Sequence, residues 1–150
     1  MKIDKISEVP ELTDIAIEYF HSNWSRSLSF DFVKDCIMQS IHNDCVLPGF
    51  YILHDKSKLI GSYALLWNDM TSRQDLTPWF ASLFVDESVR NKGLGRMLID
   101  HGVKESRYKG FKTLYLKTVL DGFYERIGWD YIGIGYNANG MKRKIYAMRL

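Results

Sequence analysis

The sequence predicts one mixed α/β domain (α+β in character) over residues 1–150. Three observations predict it: short β-rich runs alternate with amphipathic helical segments, the apolar content is ample for a buried core, and no repeat, low-complexity tract or linker divides the chain. The chain is 46% hydrophobic and 14% aromatic over 150 residues, which suits a single domain.

Met1 to Ile6 reads as a short strand stopped at Val9-Pro10, after which Leu12, Ile15, Ala16, Tyr19 and Phe20 recur at helical spacing. Ser29 is the expected N-cap of a second helix, with Phe32, Val33, Cys36, Ile37 and Ile41 on one face. Phe50 to His54 and Leu59 to Trp67 are β-rich runs joined by the polar Asp55-Lys56-Ser57-Lys58, so an antiparallel hairpin is expected. Asn68 to Pro78 forms a polar connection into a third strand, Trp79 to Val85. Leu94 to Lys109 carries Leu94, Met97, Leu98, His101 and Gly102 along one side and stops at Gly110. Lys112 to Val119 alternates as a strand. Asp121 to Ile127 reads as a brief helix capped by Asp121 and ended by Gly128, and Trp129 to Tyr136 with Lys144 to Leu150 form a last strand pair.

Charge and cysteine usage exclude several functions. A net charge of +2, from 20 basic and 18 acidic residues, gives no general reason to expect nucleic acid. Lys142-Arg143-Lys144 reads as a solvated turn. Cys36 and Cys45 match neither a disulfide framework nor a zinc site, and both are expected to be reduced, mostly buried thiols. His21, His42, His54 and His101 lack metal-ligand spacing, so no metal is expected. With no signal peptide and no run of about twenty apolar residues, the expectation is a cytoplasmic protein with no membrane partner.

Chemistry concentrates after the third strand, where Val85 leads through Arg90-Asn91-Lys92-Gly93-Leu94-Gly95-Arg96 into a helix. Glycines let the backbone approach a ligand closely, and the unpaired N–H groups of a helix's first turn attract anions. Arg90, Lys92 and Arg96 add positive charge, which favours a diphosphate. A dinucleotide fingerprint fails because Leu98 stands where a third glycine is needed, and a P-loop fails for want of Gly-Lys-Ser/Thr.

Arg90, Gly93 and Gly95 match the Gln/Arg-x-x-Gly-x-Gly/Ala motif of the GNAT superfamily of N-acetyltransferases. Phe123-Tyr124-Glu125-Arg126-Ile127-Gly128-Trp129 is similar to that family's Phe-Tyr-Glu-x-x-Gly-Phe segment. The order of elements also resembles the family along essentially the whole chain. This resemblance implies a central, mostly antiparallel sheet with one splayed parallel strand pair, flanked by about four helices. It further implies acetyl-CoA as co-substrate, with Leu83, Phe84 and Val85 pairing its pantetheine arm and Asn91 to Arg96 holding its diphosphate. Tyr124 matches the tyrosine that protonates the departing thiolate, a role suited to a phenol with an ordinary pKa of about 10.

The expected reaction is direct transfer of acetyl from acetyl-CoA to a primary amine of a small molecule or peptide in a ternary complex. The alternative is an acetyl-CoA-binding regulatory or interaction module without catalysis. Several relatives carry a carboxylate base on the strand that ends here at Val85, yet Trp79 to Val85 has none. Asp75, Asp69, Glu87 and a water chain stay open as the base, although each acid reads first as a solvated loop residue. Asp75 and Trp79 are the candidate acceptor-side residues, and Asp69, Asp75, Asp86 and Glu87 a candidate acidic rim. Lys117 and Leu120 stand where relatives often have asparagine and alanine. Strand-mediated homodimers, common in the superfamily, are admitted by the resemblance.

Overall fold

The computed structural model describes residues 1–24 and 27–150. Its seven strands form one sheet in the order β1-β2-β3-β4-β5-β7-β6. The strands are β1 (Lys2–Lys5), β2 (Gly49–Asp55), β3 (Lys58–Leu66), β4 (Trp79–Val85), β5 (Thr113–Thr118), β6 (Asp130–Tyr136) and β7 (Lys142–Arg149). The helices are α1 (Thr13–Asn23), α2 (Phe30–Ile41), α3 (Leu94–Tyr108) and the single turn α4 (Phe123–Arg126). Every strand pair is antiparallel except β4 with β5, as the predicted architecture requires.

Residues two apart on a strand share a face, and both faces of the central strands are buried. Phe50, Ile52, Ala64, Leu66 and Ala81 pack against Ala16, Ile17, Phe20, Val33 and Ile37 of α1 and α2. Tyr51, Leu53, Tyr63, Leu65 and Phe80 pack on the opposite side with Leu98 and Ile99 of α3. Double burial explains why β2 and β3 read as nearly continuous apolar runs. Tyr51, Tyr63 and Phe80 stack at 4.6 and 4.9 Å between centroids. That stack fits because Gly102 of α3 lies against it: a Cβ there would stand 2.5 Å from Phe80 Cε2.

Ser29 caps α2 as expected, its hydroxyl accepting from the Phe32 N–H at 3.1 Å. Three local expectations are corrected. Phe32 and Met97 are exposed, because the inward faces centre on Val33 and Ile37 in α2 and on Leu98 and Ile99 in α3. Asp121 does not cap α4: Gly122, in the left-handed region at φ 77°, is the N-cap, and the Asp121 carboxylate pairs instead with Lys144. Cys45 is exposed and Cys36 half-buried, since the turn after α2 carries Cys45 out of the core.

Candidate acetyl-CoA and acceptor site

The parallel pair β4–β5 opens the sheet. Trp79 registers with Tyr115 at the start of these strands, where the Tyr115 N–H donates to the Pro78 carbonyl at 3.1 Å. Farther along, β4 bulges: Ser62 pairs Phe84 and Ala64 pairs Ala81, so Tyr63 opposes both Ser82 and Leu83. Ser82 takes φ 56°, a left-handed conformation that costs a non-glycine residue on the order of 1 kcal/mol. The extra residue bends β4 away from β5 and disrupts its ladder where Leu83 faces the resulting gap. Ser82 Oγ is buried with no hydrogen-bond partner among the described residues. No pattern in Trp79 to Val85 signals this bulge, because serine has no preference for that backbone conformation.

A cavity of about 720 Å³ fills the gap, bounded by Ser82 and Leu83 of β4, Leu116 and Lys117 of β5, and Tyr124 of α4. Tyr124 is buried, its ring packed against Phe123, Trp129 and Tyr146 at centroid distances of 4.9, 6.0 and 5.6 Å. Burial raises its phenol to about 12, so it stays protonated at neutral pH. Asp69, in the β3–β4 connection, also lines the cavity and is 6% exposed. Desolvation pushes its carboxyl up to about 7, against the opposing pull of the Lys117 ammonium. Lys117 Nζ donates to Asn137 Oδ1 at 3.0 Å.

The segment bearing Asp69 is strapped down. Thr71 bridges Asn137 in the β6–β7 connection, the Ser72 N–H donates to the Tyr136 carbonyl at 2.9 Å, and the Tyr136 N–H donates to Ser72 Oγ at 2.9 Å. Asn68 Oδ1 accepts from the Thr71 N–H at 3.0 Å, closing a tight turn around Asp69. The loop aspartate that its sequence context reads as solvated is therefore one wall of the cavity. The hydrogen-bonding partners that hold it there lie more than sixty residues away in sequence.

Other candidate residues fall elsewhere. Asp75 is exposed and engaged by Arg73, at 3.0 Å to Nε and 2.9 Å to Nη2. Trp79 is fully buried, its indole N–H donating to the Leu76 carbonyl at 2.7 Å, so it supports the floor of the sheet. Asp86 accepts from Tyr19 Oη at 2.9 Å, and Glu87 is exposed beside Arg90. Among the described residues, Asp69 is the one acid of the candidate rim that lines the cavity.

Beyond Val85 the chain makes a short 3-10 turn, Glu87–Val89, and enters the glycine segment. Asn91 and Gly93 adopt φ 63° and 78°, and α3 begins at Leu94. The first bond that closes a helical turn runs from the Met97 N–H to the Gly93 carbonyl at 3.0 Å, which leaves the N–H groups of Leu94, Gly95 and Arg96 facing outward. Chain neighbours and the helix's own backbone apart, none of the described residues lies within 4 Å of a Cβ built at Gly93 or Gly95. This open, electropositive backbone fits a diphosphate. Arg90 shapes the turn: its Nε donates to the Val85 carbonyl at 2.9 Å, and its guanidinium lies over Phe84 at 5.6 Å. Arg96 pairs with Asp100 at 2.8 Å, and Lys92 is exposed. Among the described residues no group of three or more histidine, cysteine or acidic side chains could hold a metal ion.

The family model for the acetyltransferase (GNAT) domain matches residues 48–131, from the start of β2 into β6 and across both motifs. The chain belongs to the GNAT acetyltransferase family. An uncharacterised N-acetyltransferase of Chlorobaculum tepidum is 28% identical over 83 residues, 55% of this GNAT chain and 50% of its relative. The match thus spans about half the length of that curated relative. The crystal structure of an aminoglycoside 6'-acetyltransferase type Ii superposes with a TM-score of 0.74 at 22% identity, covering 99% of this chain and 97% of that one. An aminoglycoside 6'-N-acetyltransferase complexed with coenzyme A gives 0.74 at 19% identity, with the same 99% and 97% coverage. At these identities the likeness establishes the shared fold. Among the described residues no helix is long and apolar enough to cross a membrane.

Proposed function

We propose that this GNAT protein transfers acetyl from acetyl-CoA to a primary amine by direct attack in a ternary complex. The observation that carries the reading is the conjunction of three features: the open glycine turn, the bulged β4 that leads into it, and a cavity lined by Ser82 and Leu83 of that strand with Tyr124 and Asp69. The diphosphate is held by N–H groups from Asn91 to Arg96, and the pantetheine arm runs along the free edge of Leu83, Phe84 and Val85 in place of β5. A backbone N–H at the bulge polarises the thioester carbonyl as negative charge builds on its oxygen.

The amine nitrogen attacks the carbonyl carbon, and the C–S bond then breaks. Tyr124 donates its proton to the leaving sulfur. Asp69 takes the proton that the nitrogen sheds as the N–C bond forms. A carboxylate with a pKa of about 7 suits that task far better than an ordinary aspartate, because it is both largely ionised just above neutrality and basic enough to hold the proton.

The test is calorimetric titration of acetyl-CoA together with release of free thiol in the presence of amines. Gly95→Asp separates binding from folding. The change adds a better helix former and an acid at a helix N-terminus, both favourable to the fold, yet sets a carboxylate where the diphosphate is to lie. A folded variant that binds acetyl-CoA as well as the parent contradicts the proposed turn.

A further inference from the structure

The acceptor end of the cavity carries chemistry that selects among amines. Asp69 is its only acid among the described residues, and Lys117 and Arg143 line the same space, so its charge does not favour a polycation. A second cavity of about 320 Å³ continues from it, with Trp24 and Met70 belonging to both. Its walls are mainly apolar: Trp24, Phe32, Pro48, Phe50, Leu66 and Met70. Asp35 lies at its exposed rim, already accepting from Gln39 at 3.1 Å. Phe32 and Met70 are 44% and 38% exposed, apolar surface that neither α2 nor the loop buries. Met70 also holds φ 49°, a left-handed conformation that a straight-chain residue rarely adopts. Consecutive residues Asn68, Asp69 and Met70 thus face second cavity, first cavity and both, in that order.

We infer that the acceptor is a monoamine bearing an apolar alkyl or aryl group, its nitrogen at Asp69 and its apolar group in the cavity beneath Trp24, Phe32 and Met70. This rests on the acetyl-transfer reading and specifies its substrate class. The nitrogen attacks as argued above, while the tail leaves water for apolar walls. Each methylene that reaches the second cavity raises kcat/KM about fourfold, the worth of burying one methylene.

The experiment compares ethylamine, hexylamine, 2-phenylethylamine, 1,6-diaminohexane and kanamycin by thiol release, with acetyl-CoA binding measured in parallel. Hexylamine exceeding both ethylamine and 1,6-diaminohexane in kcat/KM by tenfold or more is the expected result. Preference for the diamine or for kanamycin, or no turnover of hexylamine and 2-phenylethylamine, overturns the inference. The binding titration then tells whether the donor site falls with it or stands alone. Phe32→Asp sits in the first turn of α2, where an acid is favourable to the helix. It lowers kcat/KM for hexylamine at least tenfold more than for ethylamine, whereas an equal effect on both amines, or none, refutes the assignment of the tail.

Discussion

Replacing Asp69 by asparagine tests the cavity's chemistry and its energetics in one protein. The carboxyl rises from an ordinary 3.8 to about 7 because burial disfavours its charge. Between about pH 4 and pH 7 the folded chain holds a proton at Asp69 that the unfolded chain has already lost. Folding stability from this group is therefore greatest below the unfolded pKa and falls as pH rises through the window. Three pKa units correspond to roughly 4 kcal/mol, all of it set against the folded state by about pH 8. Asparagine has nearly the same shape and does not titrate. Urea denaturation at about pH 4.5, 6 and 8 should show the stability of Asp69→Asn relative to the parent growing by roughly 3 kcal/mol across the series, the rest of the effect lying below pH 4.5. The same variant should lose two to four orders of magnitude in kcat, as expected for a lost general base. The limb of the pH–rate profile that rises near pH 7 should vanish with it. A pH-independent stability difference refutes the buried charge, and an unaltered pH limb refutes the proton transfer.

Other variants isolate neighbouring parts of the site. Lys117→Met removes the cation that opposes the rise of the Asp69 pKa, so the rising limb should move to higher pH; a downward shift contradicts the pairing. Tyr124→Phe should cut kcat by about two orders of magnitude while acetyl-CoA affinity, read calorimetrically, changes little. Gly102→Ala should destabilise the fold by about 1–3 kcal/mol despite alanine's better helix propensity, since the added methyl meets the Phe80 ring at 2.5 Å. Thermal melting and urea titration measure it.

Local patterns carried most of the fold. Ser29 capping α2, the polar tetrad between β2 and β3, and the glycine turn ahead of α3 are all written within a few consecutive residues, and each appears where its pattern predicts. The proposed donor side was read from the same kind of signal: a turn, a strand and a helix start adjoin in sequence. The acceptor side was not. Asp69 looks like any loop acid until Asn137 and Tyr136 fix the loop from the far end of the chain, and the bulge at Ser82 arises from strand pairing rather than from serine itself. Trp79 shows the converse error, a residue conspicuous in sequence whose indole is absorbed by the core.

The bridge between Thr71 and Asn137 means that the proposed acceptor wall is built by two segments that must be inherited together. A loop exchanged with a relative's 68–78 segment would lose its partner on the β6–β7 hairpin and release Asp69 into solvent, while the turn from Arg90 to Arg96, proposed to hold the diphosphate, would be left undisturbed. On the proposed assignment, acceptor choice can thus diverge without touching the donor turn, but only by paired change at two distant places in the chain.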